Sequence, residues 1–294
     1  MVINMDYIWN ITGKCNLNCD YCWDIFKNEH EINTLHAKEI IRCITTKPCG
    51  MLLFTGGEPL LRDDLFELIH YGKQQGIQHI KICTNGLLLA KRIEEIKRSP
   101  ISEIHISVDS TEEKQNNFRK QSQLVLENID ILAKSINSKS TKIVLVSVID
   151  YNKLDDFENV LRYAAEKGIY VTYQLPALVP NSEGLSLLLE SVSQEKLKQL
   201  FSKLQEFHKI YKRQLDYFAN FYWLTAKAYY LDRRVPENCQ AGDLFKIISP
   251  GGEFYDCYSH KNRSCTIQDC FSSKCLVWFR SNNRALHILQ MLQS

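Results

Sequence analysis

Six times within the first 175 residues, a short run of β-branched and aromatic residues gives way to a longer amphipathic stretch. That alternation constrains the fold more than any other feature. Parallel strands joined by crossover helices are the arrangement that satisfies both periodicities. Strands are expected at Tyr7 to Thr12, Met51 to Thr55, Ile80 to Thr84, Glu103 to Val108, Lys142 to Ile149 and Tyr170 to Gln174. Helices are expected at Leu35 to Thr45, Asp63 to Gln75, Ala90 to Lys97, Leu124 to Ser135, Leu154 to Lys167 and Val192 to Tyr211. Gly76 and Gly168 fall just past two of these helices, where a left-handed cap belongs. Leu197, Leu200, Phe201, Leu204 and Phe207 keep a three-and-four spacing, which gives the last helix one buried stripe. Six units imply an α/β fold, a partial (β/α)6 barrel open on one side. Such folds gather their active groups at the carboxyl ends of the strands.

The chain has 294 residues, 45% apolar and 24% charged, the balance of a folded protein with a real core. Thirty-six basic residues against thirty-four acidic leave a formal charge of +2, so no strong field gathers nucleic acid or anionic lipid. No apolar run approaches the ~20 residues that span a bilayer. The first residues show neither a basic leader nor a cleavage site, so the expected location is cytoplasmic. Eleven cysteines are therefore anomalous, and their odd number points to metal or redox chemistry rather than a disulfide framework. Cys15, Cys19 and Cys22 form one group; Cys239, Cys257, Cys265, Cys270 and Cys275 form another. From Pro236 onward, Gly, Ser and Asn are frequent and little can form a core, so a metal staple is expected there. The expected division is a barrel over 1–215, a helical connector over 216–235 and a small cysteine-rich domain over 236–294.

Cys15, Cys19 and Cys22 supply three thiolates from a loop that follows the first strand, and Asn16, Asn18 and Asp20 favour turns there. A structural zinc site wants four closed ligands, whereas a four-iron cluster held by three cysteines leaves one iron open. A zinc loop completed by a distant His, or an incidental group of thiols, are the alternatives. Gly56-Gly57-Glu58-Pro59 follows the second strand. Two residues without Cβ let backbone carbonyls approach a ligand, Pro59 stiffens the exit, and an anionic Glu58 suits a nearby ammonium.

The CxxxCxxC spacing, Tyr21 before the third cysteine and the Thr55-Gly56-Gly57-Glu58-Pro59 run together resemble the radical S-adenosylmethionine (SAM) superfamily. The resemblance implies that Cys15, Cys19 and Cys22 hold a [4Fe-4S] cluster whose open iron chelates the amino and carboxylate groups of SAM. An injected electron then cleaves SAM to a 5′-deoxyadenosyl radical. Tyr21 lies where the family's aromatic approaches the adenine. Asn85 in Thr84-Asn85-Gly86 ends the third strand, Ser107 and Asp109 correspond to ribose-contacting positions, Arg119 to an arginine near SAM, and Gln174 to the border of the adenine. The plainer readings are a turn at Asn85-Gly86, a helix cap at Asp109 and a solvated face at Arg119.

Cys239, the Gly252 five residues before Cys257, and Cys257 itself resemble the opening of the SPASM and twitch domains that follow many such barrels. Lys246 to Tyr255 reads as a two-strand hairpin around a glycine turn. Five cysteines rather than seven imply one auxiliary [4Fe-4S] cluster, held by Cys239, Cys257, Cys270 and Cys275. Cys265 is then left spare, or exchanges with Cys270, and zinc on the same thiolates is the alternative. Cys43 and Cys83 are expected to be buried small hydrophobes. Cys49 is expected in a loop with its role undecided, and His70, His105 and His208 are expected to be ordinary residues.

The function implied by the resemblance is hydrogen-atom abstraction from a substrate carbon, most readily in maturation of a ribosomally made peptide by crosslinking or epimerisation. With only fourteen residues ahead of the cysteine loop, a peptide substrate calls for a separate leader-recognition protein. The reductant is of the flavodoxin or ferredoxin kind. A dehydrogenase or epimerase of a small molecule, such as a sugar, nucleoside or aminoglycoside, is the alternative, with Cys265 as a hydrogen donor in the epimerase case. A non-catalytic metal-binding redox or scaffold protein is the other.

Overall fold

The computed structural model describes residues 4–19, 22, 26–27, 29–112, 122–137, 140–175, 192–215, 223, 226–227, 231 and 245–256. The six expected strands are present: β1 (Met5–Thr12), β2 (Cys49–Gly56), β3 (His79–Thr84), β4 (Glu103–Ser107), β5 (Lys142–Val148) and β6 (Tyr170–Gln174). The connecting helices are α1 (Thr34–Ile44), α2 (Leu65–Gln74), α3 (Ile93–Arg98), α4 (Ser122–Ser135) and α5 (Leu154–Lys167), with α6 (Gln194–Ile210) after β6. All neighbouring pairs from β1 to β6 are parallel. This is the parallel α/β sheet of the partial barrel.

Local chemistry sets the helix ends. Asn33 caps α1 by accepting the His36 N–H, and Ser193 caps α6 by accepting that of Lys196. At α2, Asp64 is the cap residue but gives no side-chain cap bond, because Arg62 and Thr34 engage its carboxylate. That helix starts two residues later than expected. Gly168 closes α5 in the left-handed conformation at φ 68°.

A hairpin follows at β7 (Phe245–Ile248) and β8 (Phe254–Tyr255), antiparallel as expected. Its further pairing lay beyond sequence reasoning: β7 also runs parallel to β1, with Asp6 opposite Phe245 and Trp9 opposite Ile248. The sheet therefore has eight strands in the order β6-β5-β4-β3-β2-β1-β7-β8. The Trp9 indole N–H donates to the Ser249 carbonyl at 3.1 Å, and the Ile32 N–H donates to the Pro250 carbonyl. Burial of Phe245, Ile247 and Ile248 holds this strand in place.

Alternate strand residues face two environments. Trp9, Leu52, Phe54, Ile80, Ile82, Ile104, Ile106, Val171 and Tyr173 pack into one core with Ile41, Leu68, Ile129, Leu161 and Leu204 of the helices. Each fully buried aliphatic or aromatic side chain there contributes about 1.5–3 kcal/mol. Ile8, Leu53, Val144, Val146 and Ile247 are buried on the opposite, inner face, outside that core. Among the described residues no helix is long and apolar enough to cross a membrane.

Candidate active site

β1 and β2 end side by side, and the cysteine loop leaves the first as the Gly56-Gly57-Glu58-Pro59 turn leaves the second. The turn is bonded to the base of the loop: Gly57 N–H donates to the Thr12 carbonyl and Glu58 N–H to the Lys14 carbonyl, both at 2.8 Å. This gives the two glycines a reason that holds without a ligand. A Cβ on Gly56, which has φ +119°, would lie 2.3 Å from the Thr12 oxygen, and one on Gly57 would lie 2.2 Å from that of Lys14. Backbone occupies the space a side chain would need.

Glu58 is fully buried. Its carboxylate accepts the Leu60 N–H at 3.0 Å, the Thr84 hydroxyl at 2.7 Å and the Asn85 N–H at 2.7 Å. The charge thus fastens the turn to the end of β3. Asn85 continues the path, its side-chain amide donating to Asn16 Oδ1 at 2.7 Å and lying 3.9 Å from Cys15 Sγ. Gly86, at φ +85°, lets the chain turn away against Val125, whose Cγ1 a Cβ there would meet at 2.7 Å.

Cys15, Cys19 and Cys22 are unbridged thiols, with Cys15 and Cys22 exposed. The Leu17 N–H points at Cys15 Sγ from 3.4 Å, and the Cys22 N–H donates to the Cys19 carbonyl. Although the residue reaches solvent, partial desolvation by the protein around its sulfur raises the Cys15 thiol above its ordinary range; the Leu17 N–H opposes this, the negative charges of Glu58 and Cys22 add to it, and the Asn85 amide opposes it. Three unbridged thiols on one loop, with N–H donors aimed at a sulfur, are a donor set that fits an iron–sulfur cluster. Among the described residues no three His, Cys, Asp or Glu side chains converge on a single metal ion.

Arg62 is a residue that sequence reasoning missed. It is buried and donates to the Ile11 carbonyl and to the Ile32 carbonyl, each at 2.9 Å, while pairing with Asp64 at 2.6 Å. Burial would raise the Asp64 carboxyl, but hydrogen bonds from Arg62 and Thr34 and the guanidinium charge hold it below the usual carboxylate range. Both ends of the cysteine-bearing segment are thereby tied to the turn after Pro59. A basic residue three places beyond the proline was the only available signal.

The other expected contacts lie along the same edge of the sheet. Ser107 is the last residue of β4, and Asp109 is buried with its carboxylate accepting the Val148 N–H at 2.9 Å. It joins two strand ends. Gln174 is the last residue of β6, opposite Val148. Cys49, expected in a loop, instead opens β2 because it pairs with Met5, and burial and the neighbouring Asp6 charge push its thiol up to about 12. Cys43, expected to be buried, is exposed, since α1 turns Ile41 and Ile44 to the core and leaves Cys43 to solvent. Cys83 is half-buried. Tyr21, Arg119, Cys239, Cys257, Cys265, Cys270 and Cys275 lie outside the described residues.

The chain is similar to known proteins in sequence and in fold. It is 30% identical over 203 residues to a GTP 3′,8-cyclase of Clostridium botulinum (strain Okra / Type B1), covering 64% of this chain and 61% of that one. It is 34% identical over 116 residues to an Fe-coproporphyrin III synthase of Methanosarcina barkeri, covering 38% and 29%. The matches thus span 61% or less of these curated relatives. In fold it resembles SAM-bound SuiB of Streptococcus suis, with a TM-score of 0.65 at 14% identity over 98% of this chain and 68% of that one. It also resembles anSMEcpe with bound AdoMet and a peptide, with a TM-score of 0.63 at 18% identity over 99% and 84%. The family model of the Radical SAM superfamily, whose members use SAM and a [4Fe-4S] cluster, matches residues 9–164. With that match over more than half of its length, the chain belongs to the radical SAM superfamily.

Proposed function

We propose that this chain reductively cleaves SAM and abstracts a hydrogen atom from a peptide substrate. The observation that carries the SAM-cleaving reading is the continuous path from the glycine turn to the cysteine loop, through Glu58, Asn85 and Cys15. When bound by Cys15, Cys19 and Cys22, a [4Fe-4S] cluster supplies the electron that breaks a sulfonium carbon–sulfur bond of SAM. The protein's part is to position. Gly56 and Gly57 hold backbone against the loop, and Glu58 fixes Asn85 beneath it. Asp109, Ser107 and Gln174 line the rim on β4 and β6 with polar groups for the nucleoside part. Tyr21 and Arg119 join them in this reading.

A peptide substrate is supported by the breadth of the structural likeness. SuiB, solved with the precursor peptide SuiA, and anSMEcpe, solved with a peptide, resemble this chain over nearly its whole length. The reading includes one auxiliary [4Fe-4S] cluster on Cys239, Cys257, Cys270 and Cys275 in a SPASM or twitch-like domain over 236–294. It also includes a flavodoxin- or ferredoxin-type reductant and a separate leader-recognition protein. The GTP 3′,8-cyclase likeness favours a second reading, a small-molecule substrate.

Anaerobic reconstitution, iron counting and reaction with SAM and dithionite test the proposal. About eight irons per chain are expected, four for each thiolate-held cubane, together with release of 5′-deoxyadenosine. Cys15→Ala should lose about four irons and all SAM cleavage, whereas Cys257→Ala should lose about four irons and keep the cleavage. A filled cluster that never yields 5′-deoxyadenosine would falsify the enzymatic reading. Mass spectrometry of reactions offered candidate peptides or GTP separates the two substrate classes.

A further inference from the structure

The barrel interior holds chemistry that its rim does not use. Ile80, Ile82, Ile104 and Ile106 belong to the helix-facing core, so Lys81 and Cys83 of β3, with Glu103 and His105 of β4, face inward. Lys81 Nζ lies 2.8 Å from Glu103 Oε2, which His105 Nε2 meets at 2.9 Å. This fixes one wall of the interior. Cys83 stands opposite His105 in the strand register. It is two residues below Asn85, about 6.7 Å along the strand, and the Asn85 amide is 3.9 Å from Cys15 Sγ. A half-buried thiol therefore sits one layer beneath the cysteine loop.

An independent observation marks the same interior as a place for a ligand. Val171 and Tyr173 of β6 belong to the helix-facing core, so Thr172 between them faces inward. Only 6% of Thr172 is exposed, and its Oγ1 has no hydrogen-bond partner among the described residues. A buried hydroxyl left unmet costs about 1–3 kcal/mol, a cost that a polar group of a molecule inside the barrel would remove. The inner face of the sheet thus carries a thiol on β3 and an unmet hydroxyl on β6, three strands apart.

We propose that Cys83 is the hydrogen-atom donor of this interior, returning hydrogen to a substrate carbon radical. The proposal rests on the SAM-cleaving reading above. Its basis is bond strength, since an S–H bond is weaker than a C–H bond and a thiol yields its hydrogen to a carbon radical. The Cys83 S–H bond breaks, a substrate C–H bond forms and a thiyl radical remains. The thiyl takes one electron from the low-potential one-electron reductant and one proton from solvent, which restores the thiol. The substrate leaves inverted at that carbon with its hydrogen count unchanged, neither crosslinked nor desaturated. It carries a hydrogen-bonding group for Thr172, three strands away from Cys83 across the sheet.

Two measurements test this without the substrate. In deuterium oxide, with titanium(III) citrate as reductant and no added thiol, abortive cleavage of SAM generates the adenosyl radical above Cys83, which carries S–D. The 5′-deoxyadenosine should contain one deuterium in the wild type. That label should fall at least tenfold in Cys83→Ala with SAM cleavage within threefold of wild type, and persist in Cys265→Ala. An unlabelled wild-type product, equal labelling in Cys83→Ala, or loss of label in Cys265→Ala alone overturns the proposal. If no 5′-deoxyadenosine forms at all, the reading beneath it has failed as well. Separately, brief treatment of the full metal-free chain with N-ethylmaleimide, read by peptide mass spectrometry, should modify exposed Cys43 first, Cys83 more slowly and buried Cys49 hardly at all. A Cys83 as inert as Cys49 shows a closed interior and also overturns the proposal.

Discussion

Glu58 Oε2 accepts the backbone N–H of Asn85 at 2.7 Å, joining the turn after β2 to the end of β3 across 27 residues of chain. Since the same buried carboxylate also takes the Leu60 N–H and the Thr84 hydroxyl, Glu58→Ala leaves three donors unmet. A loss of about 3 kcal/mol is expected, with a smaller loss for Glu58→Gln, which still accepts through one oxygen. Urea unfolding of the metal-free chain measures it; a change below about 0.5 kcal/mol would place the charge outside the scaffold.

The glycines of the turn separate two kinds of constraint. At Gly57, the added methyl of alanine meets backbone at 2.2 Å and cannot be accommodated by a side-chain rotation. Gly57→Ala should displace the loop base, costing about 2 kcal/mol or more and lowering iron uptake on reconstitution. Gly76 is also at positive φ, +92°, but an added Cβ there meets nothing within 4 Å. Gly76→Ala should cost only about 1–2 kcal/mol of backbone strain and leave iron content unchanged. Equal iron contents in the two variants would refute the distinction.

Arg62 reaches two backbone carbonyls and Asp64 at once. Arg62→Ala should cost about 2–3 kcal/mol, because two backbone carbonyls and a half-buried carboxylate lose their donor. Arg62→Lys should recover little, since an ammonium cannot make the forked contacts of a guanidinium. Thermal unfolding of both variants checks this; a lysine variant as stable as wild type would show that charge alone suffices.

Acid titrates the inner wall. Burial by itself would raise the Glu103 carboxyl, but the His105 hydrogen bond and the Lys81 charge overcome it and hold the group down at about 2, against 4.5 unperturbed. A depressed folded-state pKa contributes stability above the unfolded value and loses it as pH falls. Glu103→Gln should therefore destabilise by on the order of 3 kcal/mol at pH 6, a difference that shrinks between pH 4.5 and 2. A difference independent of pH over that range would mean that the carboxylate charge is not what stabilises the wall.

Periodicity made the barrel legible. Leu154 to Lys167 is a helix over the expected span, and Leu197, Leu200, Phe201, Leu204 and Phe207 are all buried. The site was legible where its chemistry is local, at the cysteine loop and the glycine turn. Contacts set by distant partners were hidden. Nothing near Phe245 announces that it lies beside Asp6, and Arg62 reads like any basic surface residue until Ile11 and Ile32 are placed around it. The two glycines announce a turn that excludes a Cβ, but not the Thr12 and Lys14 carbonyls that require it. Cys83 reads in sequence as core filler, because strand parity alone does not say which side of a parallel sheet the helices cover.

The seating of β7 against β1 also sets an order of events during synthesis. Trp9 must wait for Ser249, 240 residues later, before its indole finds an acceptor, a delay of about 10–50 s at ordinary ribosomal speeds. Through that interval the strand that leads into the cysteine loop has one bare edge, which is when a nascent chain is most open to mispairing. Metal delivery that comes only after release from the ribosome meets a completed sheet, whereas earlier delivery meets a half-fastened loop.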